Sequence, residues 1–184
     1  MKILSLAFAA LIAVSLSGCL MVEVFEYTIT IAADGHHATA ESVYRNIEGS
    51  EDGDQADIDF NELITSWRGE QYVQDRLKVG VQVTDRQLTV VNGALVGRQT
   101  SIFTDSSPGY SDFFTKDTVR IAFLSKDIDT IVRTNGIVRR SADSTTVVWP
   151  RAARTFNVAI RFKLPGPGIS LVPRFREYQK SQGK

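Results

Sequence analysis

Residues 22–31 read VEVFEYTITI, and this stretch decides the fold because its side chains alternate in character. The large apolar side chains share one face and the smaller or polar ones share the other: Phe25, Tyr27, Ile29 and Ile31 against Val24, Glu26, Thr28 and Thr30. A period of two residues predicts a strand with one buried face. Asp34-Gly35 then predicts a hairpin turn, because glycine adopts positive φ at little cost. We expect the return strand over residues 38–46.

More strands are predicted from residue 79 onward. VGVQVTDRQLTVV (79–91) and ALVGRQTSIFTD (94–105) flank Asn92-Gly93, which indicates a second hairpin. Later strands are expected over residues 119–124, 131–138, 145–149 and 155–162. Asn135-Gly136 lies inside the second of these four and would divide it into a hairpin if it forms a turn.

One main helix is predicted after a polar, acidic loop at residues 48–60. Asp59 is placed to cap the helix, with Glu62 three residues later as in a capping box. The apolar residues that follow lie at helical spacing: Phe60, Leu63, Ile64 and Trp67. We expect the helix to reach Arg68 and, past Gly69, to have a possible continuation through Leu77. These elements predict an α+β protein, with mostly antiparallel β-sheet and one main amphipathic helix packed on it.

The first 19 residues, MKILSLAFAALIAVSLSGC, have the order of a secretory signal. A positive start precedes an apolar run that is too short to span a bilayer as a mature helix. Leu16-Ser17-Gly18-Cys19 resembles the lipobox of bacterial lipoproteins. The resemblance implies that the Cys19 thiol carries lipid, that the chain is cut between Gly18 and Cys19, and that acyl chains such as palmitate hold the protein on a membrane. Two or more such chains anchor firmly.

We expect three parts in the chain. They are a cleaved signal peptide at 1–18, a single β-rich domain at 19–164, and a basic tail at 165–184 that begins with prolines and glycines. Cys19 is the only cysteine, so no intrachain disulfide is expected. The formal net charge is +0, which does not favour a polyanion, and we expect no nucleic-acid partner. We interpret the tail as a solvated, frayed terminus. The alternative is a basic arm that touches anionic lipid headgroups.

Candidate chemistry is sparse. His36 and His37 directly follow the predicted turn, and adjacent residues of an extended chain point to opposite faces, so we expect no metal there. An acidic run could hold calcium, but its spacing does not fit an EF-hand loop: Glu48, Glu51, Asp52, Asp54, Asp57 and Asp59. The sequence has neither a nucleophile elbow nor a glycine-rich phosphate loop. We therefore expect no catalytic residue and no cofactor.

The segment 105–117 combines Pro108 and Gly109 with three aromatic residues, Tyr110, Phe113 and Phe114. A solvated loop would normally be polar. The rings are expected either to fold back into the core or to form a contact surface, for instance at the membrane interface.

The order of strands around one helix, with the late strand TTVVW at 145–149, is similar to that of LppM-type envelope lipoproteins. This resemblance implies a β-rich module that faces lipid or glycolipid. We expect a lipid-anchored protein of the bacterial cell envelope, on the outer membrane if the host has two, because Leu20 rather than aspartate follows Cys19. Its expected role is a non-enzymatic binding or structural module for a protein partner, lipid or glycolipid. The alternative is a hydrolase of envelope polymers that uses carboxylates the sequence does not identify.

Overall fold

The computed structural model describes residues 20–104, 107 and 117–183. Within that part the fold is α+β and about 53% strand, as the alternating patterns predicted. The strands are β1 (Met21–Ile31), β2 (His37–Gly49), β3 (Val81–Val91), β4 (Ala94–Thr104), β5 (Thr118–Leu124), β6 (Ile128–Thr134), β7 (Ile137–Arg140), β8 (Ser144–Pro150), β9 (Thr155–Phe162) and β10 (Ile169–Ser170). The helices are α1 (Asp54–Arg68), α2 (Glu70–Lys78) and α3 (Val172–Ser181).

A large antiparallel sheet forms the body of the protein. Its strand order is β3-β4-β2-β1-β9-β6, and β10 adds to β2. The predicted hairpin between β3 and β4 is confirmed, because Asn92 and Gly93 have φ of 51° and 80°, and two positive φ values are typical of a type I′ turn.

A small antiparallel sheet, in the order β5-β8-β7, covers part of the large one. Asn135-Gly136 does divide the predicted strand, but the two halves do not pair as a hairpin. β6 pairs with β9 in the large sheet, whereas β7 pairs with β8 in the small one. The interpretation as a hairpin was therefore wrong, and Asn135 marks the point where the chain crosses between sheets.

Two apolar cores lie on the same face of the large sheet. The first is enclosed between the sheets and includes Phe25, Phe103 and Trp149. The second lies under the helices and includes Leu63 and Leu95. Leu95 and Phe103 are separated by an even number of residues in β4, so their side chains point to one face. The small sheet thus covers one end of this face, and the helices cover the other.

The opposite face of the large sheet carries ion pairs. Glu41 pairs with Arg98 at 3.2 Å, and Glu26 accepts from Arg45 and, at 3.5 Å, from Arg133. These side chains are partly or largely exposed, so each pair contributes little to stability.

The start of α1 corrects the prediction that Asp59 caps the helix. The helix begins at Asp54, and Asp59 lies in its second turn, fully buried. Its carboxylate accepts hydrogen bonds from the backbone N–H of Ser50 (3.1 Å) and from Nε2 of Gln55 (2.7 Å). The predicted apolar face is confirmed, since Phe60 and Leu63 are buried in the second core. Gly69 separates α1 from α2, so the continuation exists as a second, shorter helix.

The C-terminal segment corrects the interpretation of a frayed tail. Ile169 and Ser170 pair with Gly49 and Glu48, and α3 follows at once. Phe175 is 1% exposed and packs in the second core. Apolar residues in this segment bury enough surface to order it, despite the prolines and glycines before it.

The two ends of β1 define two ends of the molecule. We call the end at Met21, near the N-terminus of the described chain, the proximal end, and the end at Ile31 the distal end. β1 has 11 residues, so the ends are about 35 Å apart. Glu48 pairs with Met21, which also places β10 and the start of α3 at the proximal end.

Candidate binding groove

A groove of about 270 Å³ lies at the distal end, between the β1–β2 turn and the β8–β9 connection. Its floor includes apolar side chains from β1, β2 and β4, and its rim is basic. The described residues that line it are Ile31, Ala32, Gly35, His36, His37, Ala38, Phe103, Arg151, Ala152, Ala153 and Arg154. We call this feature the distal groove. Its volume is close to the lower limit of typical ligand pockets.

The β1–β2 turn is organised by Asp34. One carboxylate oxygen accepts hydrogen bonds from the backbone N–H groups of His36 (2.9 Å) and His37 (3.1 Å), and the other lies 2.6 Å from His37 Nδ1. These hydrogen bonds, that of His36 above all, hold the pKa of the Asp34 carboxyl far below its ordinary value. Gly35 has φ of 76°, as the predicted turn requires. The turn therefore fixes both histidines beside a carboxylate whose charged form is stabilised.

The β8–β9 connection contributes two arginines. The carbonyl of Arg154 accepts a hydrogen bond from the N–H of Ile31 (2.8 Å), and the N–H of Arg151 donates to the carbonyl of Asp117 (3.0 Å). These backbone bonds hold the connection against the ends of β1 and β5. The side chain of Arg154 is exposed and forms no ion pair within the part of the chain that the structure describes.

That the histidines bind no metal stays a prediction. His37 contacts Asp34, and within residues 20–104, 107 and 117–183 no three acidic, histidine or cysteine side chains come together as a metal site would need. His37 thus lies beside a single carboxylate and not in a cluster of metal-ligating side chains.

The acidic run at 48–59 does not gather around one point. Asp59 is buried inside α1, Asp57 pairs with Arg174 of α3, and Asp52 accepts a hydrogen bond from the N–H of Gly53. Arg174 also donates to the carbonyl of Gly53 at 3.2 Å. Several of these acids therefore tie the loop to the two helices, a role that the spacing of acids alone did not predict. Calcium binding stays an untested alternative.

The remaining predicted site residues lie outside the described residues: Gly18, Cys19, Tyr110, Phe113 and Phe114. The structure does describe the residues that flank them in the sequence. Leu20, which follows Cys19 in the sequence, packs against the second core at the proximal end. Thr104 pairs with His37, and the carbonyl of Asp117 binds Arg151, so both stems of the aromatic segment lie at the distal end.

A second, smaller cavity of about 30 Å³ lies beneath α1 and α2. This volume is about a tenth of that of the smallest typical ligand pockets. Beside it, Arg86 donates to the carbonyls of Ser66 and Gly69, both at 3.3 Å, and lies 5.5 Å from the centre of the Tyr72 ring. Burial lowers the pKa of Arg86. Arg86 thus neutralises the carboxyl end of α1, and its role is structural.

Sequence reasoning missed Arg151 and Arg154. They lie in a stretch, PRAAR at 150–154, with no motif and no periodicity, and they meet the histidines only because β9 pairs with β1. Knowing that Thr30 pairs with Thr155 would have placed these arginines beside the histidines, but the local sequence does not predict the order of strands in a sheet.

Comparisons with known proteins give no relative. No known family matches the chain, and no similar protein was found among curated proteins or solved structures. In the described part of the chain, no helix has the length and apolar character needed to cross a membrane.

Proposed function

We propose that this chain is a lipid-anchored protein of the bacterial cell envelope whose domain is a non-enzymatic binding module. The observation that carries the proposal is the order of three features: a leader that ends in Leu-Ser-Gly-Cys, a strand that begins at Met21, and a groove at the other end of that strand. Lipid on Cys19 would hold the proximal end at a membrane and leave the distal groove open to a partner. The resemblance to bacterial lipoproteins supports the first half of this proposal.

The anchor is tested by Cys19→Ala. We expect the native chain to incorporate a fatty-acid probe and the variant to lose the label and accumulate as a larger, uncleaved precursor. Because Cys19 is the only cysteine, no other thiol can take over. Labelling that survives the substitution would contradict the proposal. In a host with two membranes, we expect the labelled protein in the outer-membrane fraction.

The binding role is tested by photocrosslinking in intact cells. A crosslinking residue at Ala152 reports on the distal groove, and one at Asn61, exposed on α1, serves as the matched control. We expect a discrete conjugate at position 152 that is absent at position 61, and its mass tells a protein from a lipid or glycolipid. If the same conjugates form at both positions, the contacts are nonspecific and the distal groove is not a binding site.

The rival proposal is a hydrolase of envelope polymers. Such enzymes commonly use two carboxylates that flank the scissile bond. The described lining of the distal groove is basic, and the nearby Asp34 carboxylate is engaged in its own turn. Cleavage of isolated envelope polymer by the native chain, lost in Asp34→Asn, would favour the hydrolase over the binding module.

A further inference from the structure

We propose that the distal groove binds an anionic group, a phosphate or carboxylate carried by a small organic ligand. This inference deepens the proposed binding role and rests on it. It names the chemistry that the groove recognises and assigns Arg154 as the principal contact.

The shape of the groove supports a small ligand rather than a protein surface. A volume of about 270 Å³ accommodates a compact group, and the walls combine two kinds of surface. Ile31, Ala38 and Phe103 provide apolar contact, while the rim carries arginine and histidine. Specific sites for small molecules usually combine an apolar lining with a few polar groups that fix the orientation of the ligand.

The charge of the rim supports an anion. Among the described residues that line the groove, the charged or titratable side chains are those of His36, His37, Arg151 and Arg154, and none is acidic; Asp34 lies beside His37. Asp34 already accepts from two backbone N–H groups and contacts His37, so its charge is directed into the turn. Arg154 carries the argument for an anion, because its side chain is exposed and forms no ion pair with another described residue. A guanidinium binds phosphate or carboxylate through two parallel hydrogen bonds, which gives both strength and orientation.

The backbone supports pre-organisation of Arg154. Its carbonyl is fixed to the N–H of Ile31, and the adjacent Thr155 pairs with Thr30 in the sheet. The root of the side chain is therefore held by the large sheet, and only the side chain itself must be ordered when a ligand binds. Less conformational entropy is lost on binding when the contact residue starts from a rigid position.

The position of the groove bears on the source of the anion. It lies about 35 Å from the proximal end, where lipid on Cys19 would enter the membrane. A headgroup of the anchoring leaflet reaches the groove only if the molecule lies along the membrane. A soluble or polymer-borne anion reaches it in any orientation.

The test uses the mature chain from residue 19 with Cys19→Ser, because both cores are built from residues 20–178 and need no lipid. Inorganic phosphate and acetate are titrated separately while backbone and imidazole NMR signals are followed. We expect saturable shifts confined to residues 31–38 and 151–154. Arg154→Gln should weaken the binding of phosphate about tenfold, since it removes a charge-assisted contact.

Arg98→Gln is the matched control, because Arg98 is a partly exposed arginine that pairs with Glu41 outside the groove. We expect it to leave the titration unchanged. Equal weakening by both variants, or no saturable shift with either anion, would overturn the inference.

Vesicles with and without phosphatidylglycerol then separate the sources of the anion. Binding to free phosphate but not to vesicles indicates a soluble or polymer-borne ligand, and binding to both indicates access to headgroups. Fatty-acid labelling of the native chain is independent of these results, so a failure of the groove and a failure of the anchor are distinguishable.

Discussion

At the scale of the residue, Asn135 links the two sheets. Its Oδ1 accepts from Trp149 Nε1 (2.7 Å) and from the N–H of Asn157 (2.9 Å), and its Nδ2 donates to the carbonyl of Thr155 (2.9 Å). Trp149 is 1% exposed, so Asn135→Ala leaves its indole N–H buried without a partner. We expect a loss of about 1–2 kcal/mol in the free energy of unfolding, measured by urea denaturation.

Asn61→Ala is the control for this prediction, because Asn61 is exposed on α1 and should change stability by no more than about 0.5 kcal/mol. An equal, small effect of both substitutions would show that the hydrogen bonds of Asn135 contribute nothing beyond solvation.

Single residues also show where sequence reasoning succeeded and failed. Asn92-Gly93 was predictable because a two-residue turn with two positive φ values depends only on its own side chains. Asp59 was not. An aspartate before an apolar run is typical of a cap, but this one contacts Ser50, which a separate strand places beside α1. The contact depends on tertiary structure, so the spacing of neighbouring residues does not predict it.

At the scale of the element, α1 packs on β4 at a glycine. A Cβ atom at position 97 would lie 2.5 Å from Cη2 of Trp67, which is closer than carbon atoms approach. Gly97→Ala should therefore displace Trp67 and lower the free energy of unfolding by about 1–3 kcal/mol. Gly166→Ala is the matched control, since no heavy atom lies within 4 Å of a Cβ there. If thermal and urea denaturation give the two variants equal stability, Gly97 does not set the distance between helix and sheet.

The C-terminal helix gives a second prediction at this scale. Phe175 is buried in the second core, whereas the adjacent Arg176 is exposed. Phe175→Ala should cost about 3–5 kcal/mol because it opens a cavity beneath α3. Arg176→Ala should change stability by no more than about 0.5 kcal/mol. A frayed tail would instead make the two substitutions equally mild in urea denaturation.

The helix was missed for a physical reason. Pro165 to Gly168 break regular structure, and the basic residues beyond them are typical of a solvated terminus. What orders the segment is the pairing of Ile169 with Gly49 and the burial of Leu171 and Phe175. Only a few apolar residues are involved, and their partners come from distant parts of the chain. Short helices of this kind depend on tertiary packing more than on propensity.

At the scale of the whole molecule, the alternating strands predicted the fold class but not the position of the groove. Each hairpin is formed by residues that are close in the sequence, so the local sequence predicts it. The distal groove depends on the pairing of β9 with β1, which brings Arg154 beside a turn more than a hundred residues earlier in the sequence. The aromatic segment illustrates the same limit. Its composition predicted either burial in the core or a contact surface, and neither alternative indicates that its stems at Thr104 and Asp117 lie at the end opposite Leu20.

If Cys19 carries lipid, as we propose, this geometry predicts the orientation of the protein on the membrane. Only Leu20 separates Cys19 from β1, so lipid on Cys19 must hold the proximal end against the membrane surface. Gly166 lies near that end, because the following residues Gly168 and Ile169 contact Glu48 and Gly49, whereas Ala33 lies in the distal turn. Cys19 has no free thiol once lipidated, so Gly166→Cys and Ala33→Cys can each be labelled singly with a fluorophore. In vesicles that contain a headgroup-linked quencher, we expect strong quenching at position 166 and much weaker quenching at position 33, since about 35 Å separates the two ends of β1. Equal quenching at the two positions would mean that the large sheet lies along the bilayer, and the distal groove would then be within reach of headgroups.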